Sequence, residues 1–213
     1  MLLKRALNRL LRFLAPGEIL DGYNSAEVIE TIFRKAVTYQ PDKPLAEAAG
    51  KSTVLDFGGG CGVHYRQALL VNPDVRWAIV EHPAVVRRAV ELSTNRLQFF
   101  TSIKAASDWL GSIDLMHSNC ALQYCADPAA DLREICNACA REMVWRRTPL
   151  SHSNHVERTN ELMPLSHVGP GISISRKIVL FQRTLIPPSV LLGPHKGYTL
   201  SKRDADTLWF VAQ

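Results

Sequence analysis

Two kinds of apolar pattern alternate along this chain of 213 residues. Short apolar or β-branched runs with no helical interval read as buried strands. They cover residues 53–55, 76–80, 97–100, 113–119 and 142–147. Between them the spacing turns helical: over 63–71, from Pro83 to about Leu92, and from Asp127-Pro128 to about Cys139. Proline suits such starts because its fixed φ matches the first helical position. Ahead of the first strand, Leu3, Leu7, Leu10, Leu11 and Leu14 form one face of a helix over 2–14, opposite Lys4, Arg5, Asn8, Arg9 and Arg12. Pro16-Gly17 ends it. A second helix starts at Ser25 as N-cap and buries Val28, Ile29, Ile32, Phe33 and Val37. Past 147 the pattern weakens. Residues 151–171 are polar, interrupted by Pro164 and Pro170, and read as a loop; 172–193 read as helix up to the Pro187-Pro188 break. Residues 197–200 and 207–211 read as two antiparallel strands around a charged turn.

The first strand runs into Asp56-Phe57-Gly58-Gly59-Gly60-Cys61-Gly62. Glycines there allow positive φ and close approach of a ligand to the backbone, and the helix that follows aims its free amides at the same place. A dinucleotide fingerprint, G-x-G-x-x-G, does not fit: its third glycine would fall on Val63 or Tyr65. D-x-G-x-G-x-G does fit, with Asp56, Gly58, Gly60 and Gly62. That spacing resembles the first motif of class I S-adenosylmethionine-dependent methyltransferases; the bare alternative is a tight strand-to-helix turn with no ligand. Glu81 closes the next strand 19 residues past Gly62, near the offset at which an acid meets ribose hydroxyls in nucleotide folds.

The resemblance implies an α/β fold with a Rossmann-like, mostly parallel seven-stranded sheet, an antiparallel last strand and helices on both faces. It implies S-adenosylmethionine as cofactor, held by Asp56, Gly58, Gly59, Gly60, Gly62 and Glu81. The usual acid after the third strand is replaced by Thr101, Ser102 and Ile103, which leaves Ser102, a backbone amide or Asp108 for the adenine. The stretch 114–128 resembles the fourth motif and its loop, between cofactor and acceptor; it offers Ser118 to the cofactor, and Asn119, Gln123, Tyr124 and His117 to the acceptor. His117 is either a base or a satisfied structural residue. L-D-F-G-G-G, V-E-H-P, L-Q-Y and R-T-P-L together resemble a group of uncharacterised methyltransferases often encoded among bacterial surface-polysaccharide genes, over most of residues 1–150. Tyr23 and Arg147 join the acceptor side, with His152, His155 and His167 from the polar loop; a neutral imidazole there could take the acceptor's proton. These three are equally exposed loop histidines on a plainer reading. Cys61 and His64 occupy positions the motif leaves open, and no role transfers to them.

Composition narrows the classes. Length suits one domain, divided into an N-terminal helical segment (1–50) and a cofactor domain (51–213). A hydrophobic content of 46% with 21% charge is ordinary for a globular chain. Four of the net +5 charges are Lys4, Arg5, Arg9 and Arg12, and no acid precedes Glu18. The rest is nearly neutral, which argues against a nucleic-acid surface. The basic helix either lies on an anionic membrane or packs on the domain. No secretory signal or membrane span is legible. Five cysteines, including Cys136-x-x-Cys139 without a second pair, read as reduced thiols of a cytoplasmic protein, with a peripheral contact at the inner membrane surface open to it. No metal-ligand spacing is visible. The expected activity is O-methylation of a small or saccharide-linked acceptor. Its alternatives are a non-catalytic cofactor-binding or accessory protein of a membrane-associated complex and, more weakly, an RNA methyltransferase.

Overall fold

The computed structural model describes residues 18–171 and 175–213; the basic helix expected over 2–14 lies outside them. Strands β1 (Ile19–Asp21), β2 (Thr53–Phe57), β3 (Arg76–Val80), β4 (Leu97–Phe100), β5 (Leu115–Asn119), β6 (Glu142–Arg146), β7 (Glu157–Pro164), β8 (Ile178–Leu185), β9 (Tyr198–Arg203) and β10 (Thr207–Ala212) alternate with helices. These are α1 (Ala26–Thr38), α2 (Val63–Leu69), α3 (Pro83–Ala89), α4 (Ile103–Leu110), α5 (Pro128–Asn137) and α6 (Pro188–Leu191). The main sheet has seven strands in the order β4-β3-β2-β5-β6-β10-β9. Its first five run parallel; β10 lies antiparallel to both β6 and β9. This is the Rossmann-like methyltransferase sheet expected above.

Side chains of a strand alternate between faces, and the core divides accordingly. Val54, Trp77, Ile79, Leu115 and Val144 pack on one face with apolar residues of α1, α2 and α3. Leu55, Ala78, Val80, Met116 and Met143 pack on the other with those of α4, α5 and α6. Parallel strands covered on both faces are apolar at nearly every position, so these runs could be read directly. An exception on the first face is Asp56, whose register partner across β2 and β5 is His117. Both are fully buried.

The late part of the chain departs from expectation. Residues 157–164 form a strand, not a loop, and 178–185 a strand, not a helix. With β1 they build a second sheet, β1-β8-β7. Strand β7 is polar and largely exposed, so it carries no hydrophobic signature; its partner β8 holds it by backbone pairing from Glu157↔Leu185 to Pro164↔Ile178. In β8, Ile178, Val179, Phe181 and Thr184 are buried, and a short apolar run is not separable by period alone from a buried helix. Helix α4 was also unanticipated, and in α1 Ala36 is buried where Val37 was expected, Val37 being exposed. No helix among the described residues is long and apolar enough to cross a membrane. All five cysteines are free; Cys136 is buried in α5 and Cys139 lies beyond its end, exposed.

Candidate functional site

The sheet reverses direction between β2 and β5: the chain builds outward through β3 and β4, then returns to the other side of β2. Where neighbouring strands send their connections apart, a crevice opens at their carboxyl ends. A cavity of about 570 Å³ lies there, in the size range of small-molecule sites, roughly 300–1,000 Å³. Its floor is Gly58, Gly59 and Gly60; Glu81 stands on the β3 side and Asn119, Cys120 and Arg147 on the side of β5 and β6. A smaller cavity of about 300 Å³ continues past Glu81 and Tyr23 toward His82, Thr101 and Cys125.

The glycines have different reasons to be glycine. Gly58 has φ 75°, and a Cβ there would lie 2.1 Å from Ala121 Cβ. A Cβ on Gly59 would lie 2.3 Å from Asp56 Oδ2. Gly60, at φ 57°, has nothing within 4 Å of where its Cβ would be. The first two let the loop pack against protein; the third faces open space in the crevice, as a cradle for a ligand does. Gly62, at φ 87°, is the left-handed N-cap of α2 and lies under the loop. Glu81 ties the loop to β3: Oε2 accepts the Gly60 N–H at 3.0 Å and Oε1 the His82 N–H at 2.7 Å. Burial raises its pKa, opposed by these two amides. Each oxygen keeps a further lone pair, on a residue that lines the crevice.

Asp56 is placed otherwise than the motif implies. Its carboxylate is fully buried beneath the loop and does not line the cavity. Oδ1 lies 2.8 Å from His117 Nδ1; Oδ2 lies 3.0 Å from His64 Nδ1 and accepts from Trp77 Nε1 at 3.3 Å. Burial by itself pushes this carboxyl up, but His64 and His117 outweigh it and hold the group well below the usual carboxylate range. His117 is no base for an acceptor: it is fully buried, its Nε2 has no partner among the described residues, and burial lowers its pKa. It donates to Asp56 and stays neutral.

His64, by contrast, reaches the cavity. Its Nε2 lies 3.0 Å from Asn119 Nδ2, and Asn119 Oδ1 accepts from Arg147 Nε at 2.7 Å. An arginine can only donate, so the chain of polarity runs one way: Arg147 to the Asn119 carbonyl, the Asn119 amide to His64 Nε2, and His64 Nδ1–H to Asp56. That assignment uses the single His64 Nε2 lone pair on the Asn119 amide, with a buried carboxylate behind the ring. Spacing offered no signal for it, since His64 comes together with Asp56 only through the turn of α2.

Of the remaining expected residues, Tyr23, Asn119, Tyr124, Arg147 and His167 line the cavity. The Tyr124 hydroxyl donates to Glu161 at 3.1 Å, and burial and that acid raise its pKa; of the residues expected on the catalytic side, it is the one that lines the cavity. Tyr23 stacks on His82 with ring centroids 5.8 Å apart and meets Phe181 at 5.2 Å. Ser102 caps α4, accepting from Ala105 N–H, and lies on neither cavity. Ser118 is buried with an unpartnered hydroxyl, and Gln123 is buried with its amide on Cys120 Sγ. His152 and His155 are exposed and line no described cavity. The reason is that they precede β7, and the chain meets the cavity only at the far end of that strand and at 167–171. There Lys35 Nζ holds Ser166 O at 2.7 Å, and His167 and Gly169 join the wall. Met163 and Phe181, from the second sheet, complete it.

Fold and crevice define a protein of the Rossmann-like methyltransferase architecture. Among solved structures, the chain is similar to an O-methyltransferase family protein from Burkholderia thailandensis, with a TM-score of 0.51 and 16% identity over 79% of this chain and 52% of that one. It is similar also to the sugar N-methyltransferase KedS8 from Streptoalloteichus sp. ATCC 53650, with a TM-score of 0.50 and 17% identity over 88% and 87%. The mitomycin 7-O-methyltransferase MmcR aligns with 87% of the chain at a TM-score of 0.49 and 15% identity. The chain spans about half the length of MmcR and of the Burkholderia protein. No family model and no curated protein matches its sequence.

Proposed function

We propose that the chain is an S-adenosylmethionine-dependent methyltransferase acting on a nucleophilic atom, foremost an oxygen, of a small acceptor. The observation that carries this reading is the Gly58–Gly60 floor with the Glu81 carboxylate bonded beside it, both lining the crevice where the strand order reverses. The open space over Gly60 fits a ligand laid on the backbone, and Glu81 stands where sugar hydroxyls would reach it. When bound, the cofactor supplies a methyl group on a sulfonium, transferable by in-line displacement. Gly58–Gly60 and Glu81 would bind its methionine and ribose parts, and the smaller cavity beside Thr101 would take its base. Positioning supplies much of such a rate, because a held nucleophile replaces a bimolecular encounter. The aromatic wall of Tyr23, Tyr124 and Phe181 excludes water from the acceptor. If the acceptor displaces the Asn119 amide from His64 Nε2, that nitrogen is suited to take the acceptor's proton, and Asp56 would stabilise the imidazolium formed. The sugar acceptor of KedS8 and the resemblance to methyltransferases encoded near polysaccharide genes support a saccharide-linked acceptor.

Calorimetric titration with S-adenosylhomocysteine tests the reading. Binding is expected in the wild type. Glu81→Ala should weaken it by about 1–3 kcal/mol, the loss of hydrogen bonds to a charged acceptor. No heat and no thermal shift with millimolar cofactor would overturn the assignment.

A further inference from the structure

Arg147 is the residue in the crevice whose chemistry the transfer itself does not use. It follows the last residue of β6 and has φ 50°, a conformation uncommon for a residue bearing a side chain. The main chain is held there by the hairpin of β9 and β10, through the Arg147 N–H on Asp206 O at 2.7 Å. The side chain spends one edge on orientation: Nε donates to Asn119 Oδ1. Asn119 is locked in turn through His64 to the buried Asp56. Among the described residues, neither Nη nitrogen has a hydrogen-bond partner and no carboxylate lies within 4.0 Å of the exposed guanidinium. The segments outside the description, 1–17 and 172–174, contain no Asp or Glu that could serve. Among the described residues of the cavity lining, Arg147 is the only Lys or Arg, and Glu81 the only acid. Glu81 stands on β3, three strands away across β2 and β5, roughly 14 Å by strand spacing, and its oxygens serve Gly60 and His82.

We propose that the acceptor is an anion, carrying a carboxylate or a phosphate ester that docks end-on against the two Nη nitrogens of Arg147. The inference rests on the methyltransferase reading, which puts the cofactor on the Glu81 side and the acceptor on the β5–β6 side. A fork of two parallel N–H groups matches the two oxygens of such an anion in plane and spacing. Asn119 fixes that plane before the ligand arrives, so little side-chain freedom is lost on docking. The side chain carried by this positive-φ residue lines the crevice. Asn119 is a positioning residue in this arrangement.

The test uses the full chain, with and without saturating S-adenosylhomocysteine, and follows thermal unfolding and calorimetry. Two probe pairs differ in charge: benzoate against benzamide, and glucose 6-phosphate against glucose. At least one anion should bind where its neutral counterpart does not, and which pair responds separates carboxylate from phosphate. Arg147→Gln should weaken that anion about tenfold or more, the scale of one charge-assisted hydrogen bond. Arg147→Lys should keep part of the phosphate response, as a point charge without the fork. Homocysteine-adduct affinity should be unchanged in both variants. The proposal is overturned if neither anion outperforms its neutral partner, if Arg147→Gln responds like the wild type, or if that variant loses S-adenosylhomocysteine itself. The last result would assign the guanidinium to the cofactor's own carboxylate. Failure of the wild type to bind S-adenosylhomocysteine would sink the methyltransferase reading instead, and the titrations without it would still decide whether Arg147 binds anions.

Discussion

Alanine at Gly58 and at Gly60 should separate folding from binding within three residues of one loop. Both glycines have positive φ, which costs an alanine about 1–2 kcal/mol, offset by about 0.4–1 kcal/mol from the stiffer unfolded chain. At Gly60 nothing else is met, so the net loss is about 1 kcal/mol. At Gly58 the new Cβ would lie 2.1 Å from Ala121 Cβ. Ala121 follows Cys120, itself at φ 59°, and cannot retreat without moving the wall formed by β5's exit. Overpacking of this kind adds about 1–3 kcal/mol, bringing Gly58→Ala to about 2–4 kcal/mol. For a chain of this length each kcal/mol shifts Tm by about 2–4 °C. Thermal unfolding without ligand should therefore show Gly60→Ala a few degrees below wild type and Gly58→Ala lower by about 5–15 °C. Calorimetry with S-adenosylhomocysteine should then show that the milder variant binds at least about tenfold more weakly, because its methyl group occupies the ligand's place. A Gly60→Ala protein that folds and binds like wild type would refute the idea that the ligand lies over that glycine. Equal stability of the two variants would refute the packing argument for Gly58.

The buried polar cluster gives two further expectations. Asp56→Asn turns one acceptor oxygen into a donor facing His117, His64 or Trp77, and should cost about 2–4 kcal/mol in urea unfolding, as broken buried charge pairs do. Because Asp56 titrates below its unfolded value, its contribution is present above about pH 4 and fades as pH falls through the lowered folded pKa; the variant should lose that acid-side slope. His117 is also shifted down, by burial. The unfolded chain then takes up a proton near pH 6.5 that the folded chain refuses, so stability should decline as pH drops below that value. His117→Asn, with an amide where Nδ1 stands, should flatten this decline; an unchanged profile would show that His117 is not kept neutral.

The parallel core was legible because strands covered on both faces are apolar at nearly every position, as residues 77–80 are, and because the positive-φ positions 58, 60 and 62 of the turn favour glycine. Glu81 was found by the same logic, since one strand–helix unit returns the chain to the adjoining strand end. Polar partnerships were not legible. Asp56 and His117 meet through the register of β2 and β5, 61 residues apart, and His64 meets both through the first turn of α2. No local pattern encodes such distances. The same holds for β7, a polar strand that exists because β8 offers its backbone edge, and for the histidines of 152 and 155, which precede that strand and line no described cavity. Local chemistry thus dictated where the backbone must bend and which segments must be buried. The choice of which side chains face the ligand fell to long-range pairing, because a hydrogen bond between distant residues costs chain entropy that only the completed sheets repay.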